Sequence, residues 1–175
     1  EQDSELNYTI SSSPFLLPGG GPDSGNYFWT NSTIDSNTSY DWIDIESEAI
    51  IYSFADNDNA GDYIQIGFEF PFYSNPLVNT TYNQLFINPN GWIGFENDSD
   101  AWENTAIPSN QINGAAIFGL WDDLNPVNDS CNEYCSGNVY YHNNENRMVI
   151  WFNQVAHWYT NFPNTSYDFQ IVLYP

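Results

Sequence analysis

The chain of 175 residues contains no lysine and a single arginine, Arg147, against 23 aspartate and glutamate residues. Its formal net charge is -22. Nucleic acid and anionic lipid are therefore poor partners, because binding either one requires lysine and arginine side chains that neutralise phosphates. Cations and neutral sugars suit this composition better. Carboxylates that no lysine offsets must be compensated by bound cations, by salt screening or by protonation.

Long hydrophobic runs are missing as well. No apolar stretch approaches the roughly 18 residues that a membrane-spanning helix requires, so we expect no membrane insertion. The first residues, EQDSELNYTI, lack the basic and apolar regions of a signal peptide, and we expect that any such peptide has been removed or omitted. A hydrophobic share of 41% and an aromatic share of 18% exclude a disordered chain and favour a single folded domain.

Cysteine and histidine are scarce, with two residues of each. Cys131 and Cys135 supply at most half of a zinc site, and neither histidine stands at ligand spacing from them. We interpret the pair as a small disulfide in an oxidising compartment, with zinc as the alternative. The sequence has no GxSxG motif and no nucleophile beside His157. We therefore interpret His157 as a packed side chain next to Trp158 and predict no enzyme activity.

Asparagine followed by x-Ser/Thr recurs along the chain, and no sequon has proline in the middle position. Together these sequons favour an exported glycoprotein carrying N-linked glycans, which places the chain outside the cell or on its surface. The predicted glycosylation sites are Asn7, Asn31, Asn37, Asn79, Asn97, Asn128 and Asn164.

Short β-type runs separated by turn residues fill the chain from Tyr27 onward. The clearest alternation is in YIQIGFEF, which places four apolar side chains on one face: Ile64, Ile66, Phe68 and Phe70. Other predicted strands are YDWIDI, AIIYSF, YNQLFI, GWIGF, AAIFGLW, NVYYH, RMVIWF and YDFQIVLY. No stretch of ten or more residues has helical periodicity. We predict an all-β fold, a two-sheet antiparallel β-sandwich of jelly-roll type over residues 23–175. An arm and the Gly-rich linker LPGGGP occupy residues 1–22.

The order of several motifs resembles a known module: IGFEFPFY, LFINPNGWIGF, AIFGLWDDLNP and MVIWFNQVAHW. A module of large secreted and cell-surface proteins of bacteria and archaea has the similar motifs FPFYG, SSNGWLSF, IAPFWDDLNP and VEWxxVPHY. The chain is also distantly similar to the extracellular nidogen-type domain. The resemblance covers about residues 26–174 and implies a β-sandwich without a general assigned activity. Ser74 and Pro89 replace a glycine and a serine of the motifs.

Members of that family continue past the strand that corresponds to FQIVLY, whereas this sequence stops at Pro175. If Pro175 is the natural end, the resemblance implies a missing strand and an open groove. We expect the N-terminal arm to fill that groove in a neighbouring copy, because it carries apolar residues at Leu6, Tyr8, Ile10, Phe15, Leu16 and Leu17. Repeated head to tail, this contact builds a filament.

Two acidic stretches are candidate calcium sites. In FGLWDDLNP, Asp122 and Asp123 either bind calcium or end a buried strand, in which case Trp121 and Leu124 belong to the core. Adjacent strand positions face opposite sides, which argues against a catalytic carboxylate pair. DNDNAGDY resembles an EF-hand loop but lacks required ligands, so it is either a looser calcium turn or a solvated loop. Its candidate ligands are Asp56, Asp58 and Asp62.

These observations support two functional hypotheses. The first is a non-catalytic, extracellular, glycosylated structural protein that polymerises by donating its N-terminal strand. The alternative is a calcium-assisted carbohydrate-binding or adhesion module of a larger surface protein. Most of the seven tryptophans must be core residues, but Trp102 lies in the acidic loop ENDSDAWE and is predicted to be exposed and to contact sugar.

Overall fold

The computed structural model describes the backbone of residues 8–11 and the residues 19–73, 81–127, 134–158 and 165–175. These residues form strands and turns and contain no α-helix, which confirms the all-β prediction. Helices long and apolar enough to cross a bilayer are accordingly absent from the described ranges. The strands are β1 (Tyr8–Ser11), β2 (Phe28–Asn31), β3 (Ile50–Ile51), β4 (Ile64–Phe70), β5 (Tyr82–Asn88), β6 (Trp92–Gly94), β7 (Ala116–Phe118), β8 (Leu124–Asn125), β9 (Asn138–Asn143), β10 (Met148–His157) and β11 (Ser166–Leu173).

The chain divides into two compact units, Glu1–Ile43 and Asp44–Pro175. In the first unit, β1 pairs with β2 in an antiparallel two-stranded sheet, with Thr9 opposite Thr30. Gly20, in the segment that the sequence marks as a linker, also pairs with β2. Its amide donates to the Trp29 carbonyl at 3.0 Å, and the Trp29 amide donates back at 2.9 Å. The glycine is used here for a close approach, because a Cβ at Gly20 would lie 2.1 Å from the Trp29 indole nitrogen.

The second unit is a sandwich of two antiparallel sheets, as the sequence predicts. One sheet has five strands in the order β11-β10-β9-β3, with β8 also paired to β10. The other has four strands in the order β4-β5-β6-β7. The four-stranded sheet follows chain order, whereas the five-stranded sheet combines sequential neighbours, β9, β10 and β11, with β3 and β8, which pair with strands that are not next to them in the chain.

Strand β10 forms the centre of the core. Ile150 and Phe152 are fully buried, and the Phe152 ring stacks on Phe169 of β11 at a centroid distance of 4.5 Å. Gly119, just after β7, brings the two sheets together, since a Cβ there would lie 2.7 Å from the Phe169 ring and 3.0 Å from Ile171. Only glycine fits this contact without a shift of its neighbours.

A second apolar cluster lies beneath the acidic loops. It consists of the buried residues Ala60, Phe86, Trp92, Ala101 and Trp121. The Trp121 indole N–H donates to the Ala101 carbonyl at 2.9 Å, which satisfies its polar atom in the core. Trp121 and Leu124 are both buried, as the structural interpretation of FGLWDDLNP expects.

The structure differs from the predicted strands in several places, of which three are the clearest. YDWIDI forms no strand, although Ile43 and Ile45 are buried and Asp44 is exposed, as its alternation indicates. AIIYSF is reduced to the two residues of β3. Strand β8 was not predicted. It ends at Asn125 because Pro126 has no amide hydrogen to continue the ladder.

Candidate functional sites

The turn between β5 and β6 holds the acidic loops in place. Asn88, Pro89, Asn90 and Gly91 form a β-turn in which the Gly91 amide donates to the Asn88 carbonyl at 3.3 Å. Proline in the second position and glycine in the fourth suit a type I turn. Asn88 and Asn90 are fully buried, and the Asn90 amide donates to the Asn88 side-chain oxygen at 2.9 Å. Two polar side chains are thereby fixed at the end of a hairpin.

The Asn88 amide group is a three-way clamp. Its Nδ2 donates to the Asp58 carbonyl at 2.9 Å, to Asp98 Oδ1 at 3.0 Å and to the Ser99 carbonyl at 3.0 Å. Asp98 in turn accepts the Ala60 amide on Oδ2 at 2.7 Å. The loops at 56–60 and 97–100 are therefore tied to the same turn. These contacts satisfy buried polar groups, which would otherwise be costly.

Asn90 connects the turn to the FGLWDDLNP segment. Its Oδ1 accepts the Leu124 amide at 3.0 Å, and its carbonyl accepts the Asp122 amide at 3.3 Å. Its Nδ2 donates to Asp58 Oδ1 at 3.4 Å. Asn-Pro-Asn-Gly is typical of a turn, but the sequence pattern assigns no role to either asparagine side chain. Both side-chain amides form hydrogen bonds with residues ten or more positions away in the sequence, and a local sequence pattern does not predict such contacts.

Asp122 and Asp123 lie before β8 and not in a strand, so the prediction that placed them at adjacent strand positions was wrong. Both lie near His157, the last residue of β10. Asp122 Oδ1 is 3.5 Å from His157 Nε2 and also accepts the Asp123 amide at 3.0 Å. The Asp123 carbonyl accepts the Trp158 amide at 2.7 Å. The structural interpretation of these aspartates expects them to accept hydrogen bonds from backbone amides in the turn, as Asp122 does here.

The electrostatics of this region are those of crowded carboxylates. The pKa of Asp123 is raised to about 6, mainly by burial, with His157 acting in the opposite direction and the nearby charges of Asp58 and Asp122 adding to the rise. Burial also raises the pKa of Asp58, assisted by repulsion from Asp56 and Asp100. Protonation of Asp123 therefore reduces the repulsion among these carboxylates.

The loop DNDNAGDY uses its first carboxylate for its own turn. Asp56 Oδ1 accepts the backbone amides of Asp58 at 2.9 Å and Asn59 at 2.8 Å. The Asp58 amide bond, followed by that of Asn59, lowers the pKa of Asp56 against a smaller effect of burial. The Asp62 carbonyl accepts the Tyr52 hydroxyl at 2.9 Å. Among the described residues, no three histidine, cysteine, aspartate or glutamate side chains are grouped to hold a metal ion. Calcium at Asp56, Asp58, Asp62, Asp122 or Asp123 stays a prediction.

Three predicted glycosylation sites fall on described side chains. Asn37 and Asn97 are exposed, whereas Asn31 is buried with 9% of its surface accessible. Asn31 Oδ1 accepts the amides of Thr33 and Ile34, each at 3.0 Å. The remaining sequons lie outside the described residues: Asn7, Asn79, Asn128 and Asn164.

The disulfide, the arm and the sugar contact are only partly described. Cys135 is disulfide-bonded, but its predicted partner Cys131 lies outside the described residues, so the pairing stays a prediction. Trp102 is 46% exposed, in agreement with its predicted surface position. Of the predicted donor residues, Tyr8 and Ile10 lie in β1, opposite Asn31 and Trp29. The others fall outside the described residues: Leu6, Phe15, Leu16 and Leu17.

The chain was compared with known families, proteins and structures. Residues 32–175 match the family model described as "NIDO related". Neither the curated proteins nor the solved structures gave a match. The family match spans most of the chain and includes both sheets of the sandwich, the asparagine turn and the acidic loops. The chain therefore belongs to the NIDO-related, that is nidogen-related, family.

Proposed function

We propose that this NIDO-related chain is a non-catalytic, extracellular, N-glycosylated structural protein that forms a surface filament or layer. Copies assemble because strand β1 of one copy pairs with β2 of the next. The observation that carries the proposal is the antiparallel register of β1 and β2, in which Tyr8 lies opposite Asn31 and Ser11 opposite Phe28. We therefore propose β2, rather than an edge of the sandwich, as the acceptor.

The small size of the β1–β2 sheet makes exchange inexpensive. A two-stranded sheet on its own is only marginally stable in water, and β1 and β2 form such a sheet within the first compact unit. When β1 leaves, β2 keeps its pairing with Gly20 and offers its other edge. A strand of identical sequence from a second copy fits that edge in the same register.

Exchange of this kind leads to an open polymer. Each copy that donates β1 to a neighbour has its own β2 edge free to accept β1 from another copy. Because the donor and acceptor surfaces differ, the contact is heterologous, and heterologous contacts that do not close into a ring produce filaments. Domain swapping of an identical element creates no new type of contact and is therefore a low-cost route to assembly.

An extracellular location is supported by the family and by the surface chemistry. Nidogen-related domains are typically extracellular, and the match of residues 32–175 is compatible with that location. The exposed sequons at Asn37 and Asn97 are accessible to a glycan. The disulfide-bonded state of Cys135 is typical of proteins in oxidising compartments.

Deletion of residues 1–17 tests the proposal. We expect the native protein to form fibres in electron micrographs and the deletion variant to sediment as a folded monomer. A deletion of residues 1–5 alone is the matched control, because it leaves Tyr8–Ser11 in place and should still polymerise. Polymers of unchanged length after the longer deletion would refute strand exchange.

A second candidate function is a calcium-assisted carbohydrate-binding or adhesion module. The observation in its favour is the exposure of Trp102 beside the acidic loop at 97–100. In this case glycan binding should fall when calcium is chelated and when Trp102 is replaced by alanine. A broad glycan array without any bound sugar would eliminate it.

A further inference from the structure

The outer face of the five-stranded sheet carries a pair of aromatic rings. Neighbouring residues of a strand point to opposite faces. Trp151 therefore lies on the side away from Ile150 and Phe152, which are fully buried. Trp151 stands opposite Tyr140 of β9 in the strand register. Their ring centroids are 5.4 Å apart and their planes are inclined by 34°. The two rings form a shallow platform on a partly exposed sheet surface.

Polar side chains border this platform. The Trp151 indole N–H donates to Asp168 Oδ1 at 2.7 Å. Gln154 Nε2 donates to the other oxygen, Oδ2, at 3.3 Å. Asp168 and Gln154 are both exposed. A carboxylate with two oxygens and a primary amide thus lie at the rim of an aromatic surface, where they can bond a ligand as well as each other.

The backbone at Gln154 is unusual. Its φ is 56°, in the left-handed region that side chains other than glycine rarely adopt. It falls where the register between β10 and β11 shifts, between Phe152 and Val155. The Ser136 hydroxyl donates to the Gln154 carbonyl at 3.0 Å and supports this conformation. A bulge redirects a side chain at the cost of strain, and such strain concentrates at binding sites.

We propose that Tyr140, Trp151, Gln154 and Asp168 form a binding site for a neutral pyranose sugar. The C–H face of a sugar ring packs on an aromatic surface, and its hydroxyl groups bond carboxylate and amide groups at the edge. Anionic ligands do not fit, because the chain has a net charge of -22 and a single arginine. No calcium ion is required, which separates this site from one at Trp102.

The geometry favours a sugar over an organic cation. A site for quaternary ammonium encloses the charge within an aromatic cage. Here the rings are inclined by only 34° and leave the site open on one side. Both oxygens of Asp168 already accept hydrogen bonds, so the carboxylate is not reserved for a cation. Hydroxyl groups can still use the remaining lone pairs.

Titration of the full chain with neutral oligosaccharides tests the site. The probes are cellohexaose, xylohexaose and mannohexaose, and choline is the cationic comparison. Calorimetry measures the affinity of each. We expect at least one oligosaccharide to bind and Trp151→Ala to weaken that binding at least about tenfold. Asp168→Asn, which preserves shape at an exposed position, should weaken it several-fold. Ile107→Ala, at an exposed apolar residue that belongs to neither proposed sugar site, is the control and should leave the affinity unchanged.

Three outcomes would overturn the inference: no oligosaccharide binds at millimolar concentration, choline alone binds, or Trp102→Ala weakens binding while Trp151→Ala and Asp168→Asn do not. Unfolding curves of both site variants identify any loss that comes from misfolding. If Trp151→Ala fails to fold, Asp168→Asn alone decides the result.

The sugar has two sources, a free polysaccharide or a glycan attached to another copy. Two titrations of the deglycosylated chain are therefore compared. In one the added ligand is a free oligosaccharide, and in the other it is the glycosylated chain. Binding to the glycosylated chain that Trp151→Ala abolishes identifies the second source, and binding that this variant leaves intact contradicts the site. The inference does not depend on strand exchange, so the two proposals fail separately.

Discussion

At the scale of single residues, buried amides connect the loops that carry the carboxylates. Asn88 and Asn90 are fully buried and contact both acidic loops and the segment before β8. The sequence predicts their turn, because Asn-Pro-Asn-Gly has proline and glycine where a type I turn prefers them. It does not predict their clamping role, because Asp98 and Leu124 are brought near them only by the tertiary fold.

Asn88→Ala should destabilise the chain by about 2 kcal/mol, because it leaves three buried or half-buried acceptors without their donor. Urea unfolding followed by tryptophan fluorescence measures this loss. The control is Asn113→Ala, at an exposed asparagine, which we expect to change stability by less than about 0.5 kcal/mol. Equal losses of unfolding free energy for the two substitutions would contradict the stabilising role of the Asn88 hydrogen bonds.

Asp123 should make stability fall as pH rises. Its pKa is about 6 in the folded chain against an ordinary value of 3.8. Between these values the folded state binds more protons than the unfolded state, so the contribution of Asp123 to stability is lost as pH rises through 6. Asp123→Asn should therefore raise Tm at about pH 7.5 and give little gain at about pH 4.

Thermal unfolding over that pH range measures the effect. Glu145→Gln removes one charge at an exposed position and serves as the control. A Tm difference between Asp123→Asn and the native chain that is the same at both ends of the range would argue against a raised pKa.

Solvent accessibility should determine which sequons carry a glycan. We expect glycans at Asn37 and Asn97, which are exposed, and none at Asn31, which is buried and uses its side-chain oxygen to hold the turn at Thr33 and Ile34. Mass spectrometry of glycopeptides from the native protein decides this. A fully occupied Asn31 beside an empty Asn37 would contradict the prediction.

At the scale of elements, alternation predicts which side chains are buried better than it predicts strands. Strand β4 and its more buried apolar face coincide with the prediction, although the register with β5 shifts between Gln65 and Phe70. In YDWIDI, Ile43 and Ile45 are buried as predicted, yet no ladder forms. Local sequence determines the amphipathic pattern, whereas a ladder also needs a neighbouring strand at the right distance. Strand β8 shows the converse, because only its pairing with Ala156 and His157 defines it.

The turn before β6 depends on Gly91. Its φ is 83°, and a Cβ there would lie 1.8 Å from the Leu120 carbonyl oxygen, a backbone atom that cannot move alone. Gly91→Ala should therefore cost about 3 kcal/mol or more in unfolding free energy.

Gly114→Ala is the comparison for Gly91→Ala. Its φ is 90°, but the contact of its Cβ is with the flexible side chain of Glu96. Differential scanning calorimetry of both variants should show the larger drop in Tm for Gly91→Ala. The reverse order would mean that the close approach to Leu120 is not what fixes this turn.

At the scale of the whole molecule, composition predicts the environment but not the assembly. The absence of lysine and the excess of carboxylates predict that polyanionic partners bind poorly, and the all-β sandwich follows from the strand pattern. The division at Ile43 and Asp44 and the pairing of the N-terminal strand with β2 do not follow from either. The arm carries several apolar residues, which favour burial against another strand, but its sequence does not indicate which edge accepts it.

Cross-linking between copies tests strand exchange most directly. Thr9 and Thr30 are opposite each other in the β1–β2 register, a spacing within the range that a disulfide spans. One preparation carries Thr9→Cys and another Thr30→Cys, and the two are assembled together under oxidising conditions. We predict covalent dimers of the two variants, and none when Thr9→Cys is assembled with Thr105→Cys. If the bond forms only when both substitutions are in one chain, β1 stays on its own β2 and the proposed filament contact is wrong.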